Sequence, residues 1–66
     1  MGWYFGYKNT WIEFDKNTQN LIEHSWNAGM YPVTVKDSHF NNIQVTILCA
    51  ETRAVCNGSM YQIVRC

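Results

Sequence analysis

Charge of either sign is scarce and balanced. Five Lys/Arg face five Asp/Glu in 66 residues, for a formal net charge of zero. Nonspecific nucleic-acid binding needs a basic footprint, and the chain has no run of Lys or Arg to supply one, so no direct DNA binding is expected. The same balance leaves no large field to steer an anionic ligand. Apolar runs are short. None approaches the roughly 18–20 residues that cross a bilayer, so no membrane partner is expected. Cysteine occurs three times, as Cys49, Cys56 and Cys66. An odd set without C-x-x-C matches no zinc spacing, and no metal site is expected. Without a secretory signal, these thiols read as reduced and the protein as intracellular. Gly2, Gly6, Gly29 and Gly58 are dispersed, which fits turn, strand or cap roles and excludes a Gly-rich phosphate loop.

Catalytic constellations are also missing. A nucleophile needs a base beside it and a third group to orient that base. His24 falls on a helical stretch and His39 in a loop, and neither is spaced near a Cys or Ser. Both read as ordinary surface or edge residues. Glu13, Asp15, Glu23, Asp37 and Glu51 are scattered. The chain therefore reads as a non-enzymatic binding module, with no catalytic residues and no cofactor.

Aromatic residues are what it has, at 15% of the chain within a 47% hydrophobic content. That content argues for packing rather than disorder. A chain of this length forms one domain, residues 1–66, and a domain near 60 residues buries only about 60% of its unfolded surface. Large rings offset this, since each can bury about 150–250 Å². The opening Met1-Gly2 and the end at Cys66 read as a domain cut from a longer protein, and a monomer is expected.

The aromatic stretch "WYFGYKNTWIEF" reads as a hairpin: strand Trp3–Tyr7, turn residues in "KNT", strand Trp11–Phe14. "DKNTQN" changes to cap chemistry, with Asn17 or Thr18 as N-cap. Leu21, Ile22 and Trp26 follow at helical spacing, Ile22 and Trp26 sharing a face as i and i+4. Gly29 is placed to end the helix in the left-handed conformation. One helix, Thr18–Ala28, is predicted and no other. "YPVTVK" is a strand after the break at Pro32, with Val33 and Val35 on one face. "DSHFNN" is a loop. "IQVTIL" alternates, with Ile43, Val45 and Ile47 in and Gln44 and Thr46 out. A turn around Ala50–Glu51 leads to "TRAVC". Asn57-Gly58 is a strong hairpin signal and precedes the strand "SMYQIVR". Asn57-Gly58-Ser59 also matches a glycosylation acceptor pattern, read here as a turn. The order is two strands, one helix and four strands. That is α+β, a twisted antiparallel sheet with a helix on one face.

Trp3 and Trp11 on the first hairpin, with Ile22-Glu23 mid-helix, resemble the WWE domain family, named for two tryptophans and a glutamate in that order. The resemblance spans essentially the whole chain. "WIEFD" fits the second Trp with its following aromatic and acid, and "LIEHSWNAG" fits the family helix. "IQVTIL" and "NGSMYQIVR" fall where the family has a Tyr-x-Val-Asp-Phe strand and a Thr-Gly turn with a basic final strand. The resemblance implies a strongly curved half-barrel of about six strands around one helix. It implies a module of ubiquitin ligases and poly(ADP-ribose) polymerase-type ADP-ribosyltransferases, in the nucleus or cytoplasm. The implied partner is ADP-ribose, as a terminal or iso-ADP-ribose unit of poly(ADP-ribose) on modified proteins. Its adenine would enter the open end of the half-barrel.

Several ligand positions differ from the family pattern. Phe5 keeps a ring where polymer-binding members often have Tyr. Ile43 replaces the strand Tyr, Thr52 a ligand-recognising Gln, and Tyr61 a phosphate-contacting Arg. Arg65 fits the terminal basic pair, but its partner position holds Val64. Each lost charge-assisted hydrogen bond would forfeit roughly 1.5–3 kcal/mol, and two would weaken a ligand about a hundredfold or more. Lys8, Gln44, Arg53 and Tyr61 are the expected substitute contacts, and Trp11 joins the expected ligand-binding set. The alternative is a scaffold for a protein partner without ADP-ribose binding.

Trp3, Trp11, Phe14 and Trp26 are expected to be core. Glu23 is expected to be structural, accepting from a buried Trp indole or a backbone amide. Strand alternation puts Tyr4 opposite Phe5 and Tyr7. Tyr61 reads equally as strand packing or pocket lining. Met30 and Met60 read as filler under loops.

Overall fold

The computed structural model describes residues 2–30 and 32–66. Tyr31, at the head of the "YPVTVK" segment, and Met1 lie outside the described residues. The elements are β1 (Trp3–Tyr7), β2 (Thr10–Glu13), α1 (Lys16–Ala28), β3 (Val33–Lys36), β4 (Gln44–Leu48), β5 (Arg53–Cys56) and β6 (Ser59–Arg65). The strands form one six-stranded sheet in the order β2-β1-β6-β5-β4-β3. Every strand pairing among the described residues is antiparallel. This is the expected α+β architecture, an open sheet packed against one helix.

Two tight turns set the register. Lys8 and Asn9 have φ of 51° and 63°, and Asn57 and Gly58 have 50° and 79°. Paired positive φ gives the backbone twist that joins right-handed strands without splaying them. The first turn fixes Tyr7↔Thr10, Gly6↔Trp11 and Phe5↔Ile12. The second fixes Cys56↔Ser59 and Ala54↔Tyr61. β1 then pairs with β6 through Phe5↔Ile63 and Trp3↔Arg65. Residues opposite each other share a face, so these pairs sort the sheet into two sides. Trp3, Phe5, Val35, Val45, Ile47, Ala54, Cys56 and Ile63 lie on the concave side and are buried. Tyr4, Gly6, Trp11, Gln62 and Val64 lie on the convex side.

The helix begins at Lys16, two residues before the expected start, with Asp15 as N-cap rather than Asn17 or Thr18. Both predicted caps lie inside the helix because Thr18 is needed in the core. It is 1% exposed, and its hydroxyl lies 3.4 Å from the Lys36 carbonyl. The Asp15 carboxylate does not cap α1 either. It accepts from the Ser38 N–H at 2.7 Å and the Ser38 hydroxyl at 2.8 Å. Gly29 ends the helix with φ 67°, and the Met30 N–H reaches the Ser25 carbonyl at 2.9 Å. That is the Schellman pattern, which a residue without Cβ adopts without strain. The buried line of α1 is Thr18, Ile22 and Ser25. Burying Ile22 contributes about 1.5–3 kcal/mol of apolar transfer.

Several expectations from the sequence are corrected. β2 runs one residue earlier than predicted, although the Phe14 N–H still reaches the Trp3 carbonyl at 3.1 Å. Trp11 is not core: it is 50% exposed, because its pairing with Gly6 turns it to the convex side. Trp26 is 40% exposed, since the buried stripe passes through Ser25 instead. Its ring meets Trp3 edge-on, with centroids 6.0 Å apart. Leu21, Met30 and Met60 are exposed, so neither methionine fills a gap under a loop. The "DSHFNN" loop holds a 3-10 turn, Ser38–Phe40, and a second spans Cys49–Glu51. The first turn and the left-handed Asn41 and Asn42 leave Ile43 outside β4 and 39% exposed, so only Val45 and Ile47 of the predicted inward set are buried. Cys49 and Cys56 are buried and Cys66 is exposed, all three as free thiols.

Candidate functional site

Strand alternation brings Phe5 and Tyr7 to the concave side, and the β1–β2 register adds Ile12 opposite Phe5. The β5–β6 register puts Tyr61 opposite the buried Ala54 and so on the same side. The 3-10 turn supplies His39 and Phe40. These six residues enclose a cavity of about 250 Å³ that no helix residue lines. Its walls are rings. Tyr61 meets Phe5 at 6.1 Å and 84°, and Phe40 at 5.1 Å and 80°. Phe5 and Phe40 tilt together at 4.8 Å. Phe5 and Phe40 are buried, Ile12 and Tyr61 half-buried, and Tyr7 is 45% exposed. His39 is exposed as well, so the cavity is open at the Tyr7 and His39 sides and closed by packed aromatics at its floor. Two larger hollows of about 410 Å³ each adjoin it, one sharing Tyr7 and lined also by Gly6, Lys8, Trp11 and Gln62, the other sharing Tyr61 and lined also by Thr52, Arg53, Met60 and Gln62. Exposed polar side chains and turn residues wall them, with fewer rings to grip a flat ligand.

The expected ligand residues divide. Phe5 and Tyr61 line the aromatic cavity. Ile43 borders an adjoining hollow that shares His39, Phe40 and Tyr61. Lys8 sits in the β1–β2 turn, its Nζ 5.3 Å from the Tyr7 ring centroid. Trp11, Gln44 and Arg53 fall on the convex side with the residues they pair with. Thr52 occupies the turn before β5 at φ 54°, its N–H on the Cys49 carbonyl at 3.1 Å. Arg65 is on the concave side but engaged. Its Nε and Nη2 donate to the two Glu23 oxygens at 2.9 and 2.7 Å. Glu23 also accepts from the Trp3 indole N–H at 2.8 Å. The hydrogen bonds from Arg65 and Trp3 lower the Glu23 carboxyl from an ordinary 4.5 to about 2.

Sequence reasoning missed Ile12, Phe40 and His39. Ile12 was legible, because a two-residue turn at Lys8-Asn9 forces Phe5↔Ile12. Phe40 and His39 were not, since only the 3-10 turn brings them to the cavity. Gln19 was missed as well. Its side chain accepts from the Trp3 N–H at 3.1 Å and donates to the Phe14 carbonyl at 2.6 Å, tying α1 to the first hairpin.

Behind His39 lies a polar lock. Asp37 is 0% exposed and accepts from the Asp15 N–H at 2.8 Å and the His39 N–H at 3.1 Å. Its Oδ2 lies 2.6 Å from His39 Nδ1. Burial pushes the Asp37 carboxyl up, but hydrogen bonds from Thr18, His39 and the backbone N–H groups outweigh it and leave it below its ordinary range. Asp15, Asp37 and His39 hold ligand-type atoms within 4.8 Å of one another. Those oxygens already accept from N–H and O–H donors, so the cluster is a structural lock rather than an open metal site.

A family model described as WWE domain matches residues 1–64. No curated protein matches the chain. No solved structure matches it either.

Proposed function

The chain belongs to the WWE domain family, and from that premise we propose that it recognises ADP-ribose, free or as a unit of poly(ADP-ribose), at the cavity between Phe5 and Tyr61. WWE domains are non-catalytic recognition modules, typically for ADP-ribose derivatives. The observation that carries the reading is the ring-walled cavity on the concave side, whose volume of about 250 Å³ has room for a purine. The pocket is altered. Its lining includes no Arg or Lys, and Arg65 is held by Glu23. Lys8 lines a neighbouring hollow rather than this cavity, with its Nζ 5.3 Å from the centroid of the Tyr7 ring that borders both. The proposal extends to a parent protein of the ADP-ribosyltransferase or ubiquitin-ligase type.

Titration of ADP-ribose and of iso-ADP-ribose into the isotope-labelled chain, followed by NMR, tests the reading. Saturable shifts at Phe5, His39 and Tyr61 are expected. Silence at millimolar concentrations of both ligands would overturn it.

A second reading rests on a different surface. Tyr4, Trp11, Val64 and Cys66 form an apolar hollow on the convex side. A protein partner docked there would make the domain a scaffold. Shifts confined to these residues on adding a partner, with the cavity unaffected, would support it over the first.

A further inference from the structure

The helix α1 packs on the concave side, where Ile22 is buried with Phe5 and Ile63. The convex side has a different layout. Four residues line up directly across it. Trp11 pairs with Gly6, Gly6 follows the Phe5↔Ile63 pair and so lies beside Gln62, and Gln62 pairs with Arg53. Neighbouring strands stand about 4.8 Å apart, so the row from Trp11 to Arg53 runs about 14 Å. Gly6 keeps its middle low. A Cβ there would lie 3.5 Å from Trp11 Cζ3, so the indole leans over bare backbone while half of the residue faces solvent.

Three hollows join along this row. The first, of about 270 Å³, is the apolar one formed by Tyr4, Trp11, Val64 and Cys66. Trp11 is shared with the second, which holds Lys8 and Gln62. Gln62 is shared with the third, which holds Arg53 and Met60. Among the described residues neither Lys8 nor Arg53 has a carboxylate within ion-pair reach. The Lys8 Nζ has the Tyr7 ring beside it. Glu13, opposite Tyr4 at the apolar end, is engaged by Gln19 Nε2 at 3.2 Å, and Glu51 bounds the far end. The middle of the trough therefore offers two unmatched cations next to an apolar cup, and complementarity calls for negative charge there. A compact anion would leave the cup empty. A lone apolar side chain would leave both cations unmatched. An extended chain, at about 3.3 Å per residue, spans the row in about four residues.

We propose that the convex side docks an extended acidic segment of a partner protein, with an apolar side chain between Tyr4 and Trp11 and carboxylates, about three residues further on, at Lys8 and Arg53. The proposal rests on the second reading above and adds the partner's chemistry and direction.

The test follows the NMR spectrum of the isotope-labelled 66-residue chain on adding a seven-residue peptide of glycine and serine with leucine at its second position and glutamate at its fifth and sixth. Two control peptides replace the glutamates by lysine or the leucine by glycine. Saturable shifts at the Trp11 indole, Gln62, Arg53 and Val64 are expected with the first peptide, and weaker binding with both controls. Arg53→Glu should weaken the glutamate peptide about fivefold or more and reverse the preference between glutamate and lysine. Trp11→Ser should weaken it about tenfold. Unchanged signals from the buried Ile22 and Val45 show that each variant is folded. Equal binding of the glutamate and lysine peptides would overturn the acidic partner and leave the apolar docking site. Shifts at Phe5 and Tyr61 alone would place the peptide in the aromatic cavity and overturn the proposal. Shifts at Trp11 and Val64 that follow the chain's own concentration would assign the convex side to a second copy and overturn it too. Silence with all three peptides at millimolar concentration would overturn both the proposal and the docking reading.

Discussion

Glu23 stands 20 residues from Trp3 in sequence, and its Oε1 accepts the Trp3 indole N–H at 2.8 Å. The same carboxylate receives Arg65 from the last strand. One helix residue therefore holds a buried ring of β1 and the end of β6 together. The family's defining glutamate serves the fold at this point, and its partner arginine is not free for a ligand.

The depressed Glu23 carboxyl predicts an acid-sensitive joint. A carboxyl lowered from 4.5 to about 2 in the folded chain binds fewer protons there than when unfolded. Its contribution is complete above about pH 4.5 and is lost as pH falls toward 2. Thermal unfolding midpoints across that window should fall in the parent chain and fall less steeply in Glu23→Gln. Parallel pH profiles for the two would refute the assignment.

Asp37→Ala removes the acceptor from the Asp15 and His39 N–H groups. A stranded buried donor costs about 1–3 kcal/mol, so a loss of about 3 kcal/mol is expected. Native stability near 0.05–0.15 kcal/mol per residue makes that a large share of the total. Urea unfolding reads the loss, and a change under about 1 kcal/mol would show that water replaces the carboxylate.

Thr52 is a β-branched residue at φ 54°. The left-handed region costs most L-residues roughly 1–2 kcal/mol and costs Asn less. Thr52→Asn should raise stability by about 0.5–1 kcal/mol. Among the described residues its hydroxyl bonds only the adjacent Glu51 carbonyl, at 2.6 Å, so little is forfeited. An unchanged or lower urea midpoint would count against strain at this turn.

Tyr61→Arg places a cation on a half-buried wall of the cavity, whose own lining has none. A charge-assisted hydrogen bond to phosphate is worth roughly 1.5–3 kcal/mol. ADP-ribose should bind at least about tenfold more tightly, and adenosine should not. Calorimetry with both ligands separates a phosphate contact from a general change in the cavity.

The sequence carried the fold further than the site, for a physical reason. Turn chemistry and strand alternation are local, so Asn57-Gly58, Gly29 and the span Ser59–Arg65 were all readable. The helix start was not, because Thr18 has the side chain of a cap but is drawn into the core by its contact with Lys36, 18 residues away. Trp11 and Trp26 failed as core for a related reason. Hydrophobicity says that a ring favours burial, while register and helix phase decide whether it is buried. At the cavity, alternation gave Phe5 and Tyr7, but His39 and Phe40 arrive through a 3-10 turn whose cap is the buried Asp37.

The pairing of β1 with β6 has a consequence in time. The Gly2 N–H and Cys66 carbonyl are 2.7 Å apart, and the reciprocal bond is 2.8 Å. Each terminal hairpin closes locally on its own turn, yet the seam between them joins opposite ends of the chain. Such distant contacts form only after the entropy of closing a long loop has been met, which slows folding. During synthesis Trp3 and Phe5 have only β2 to lie beside until Ser59–Arg65 has left the ribosome. Within this domain the aromatic wall of the cavity is therefore made early and completed late.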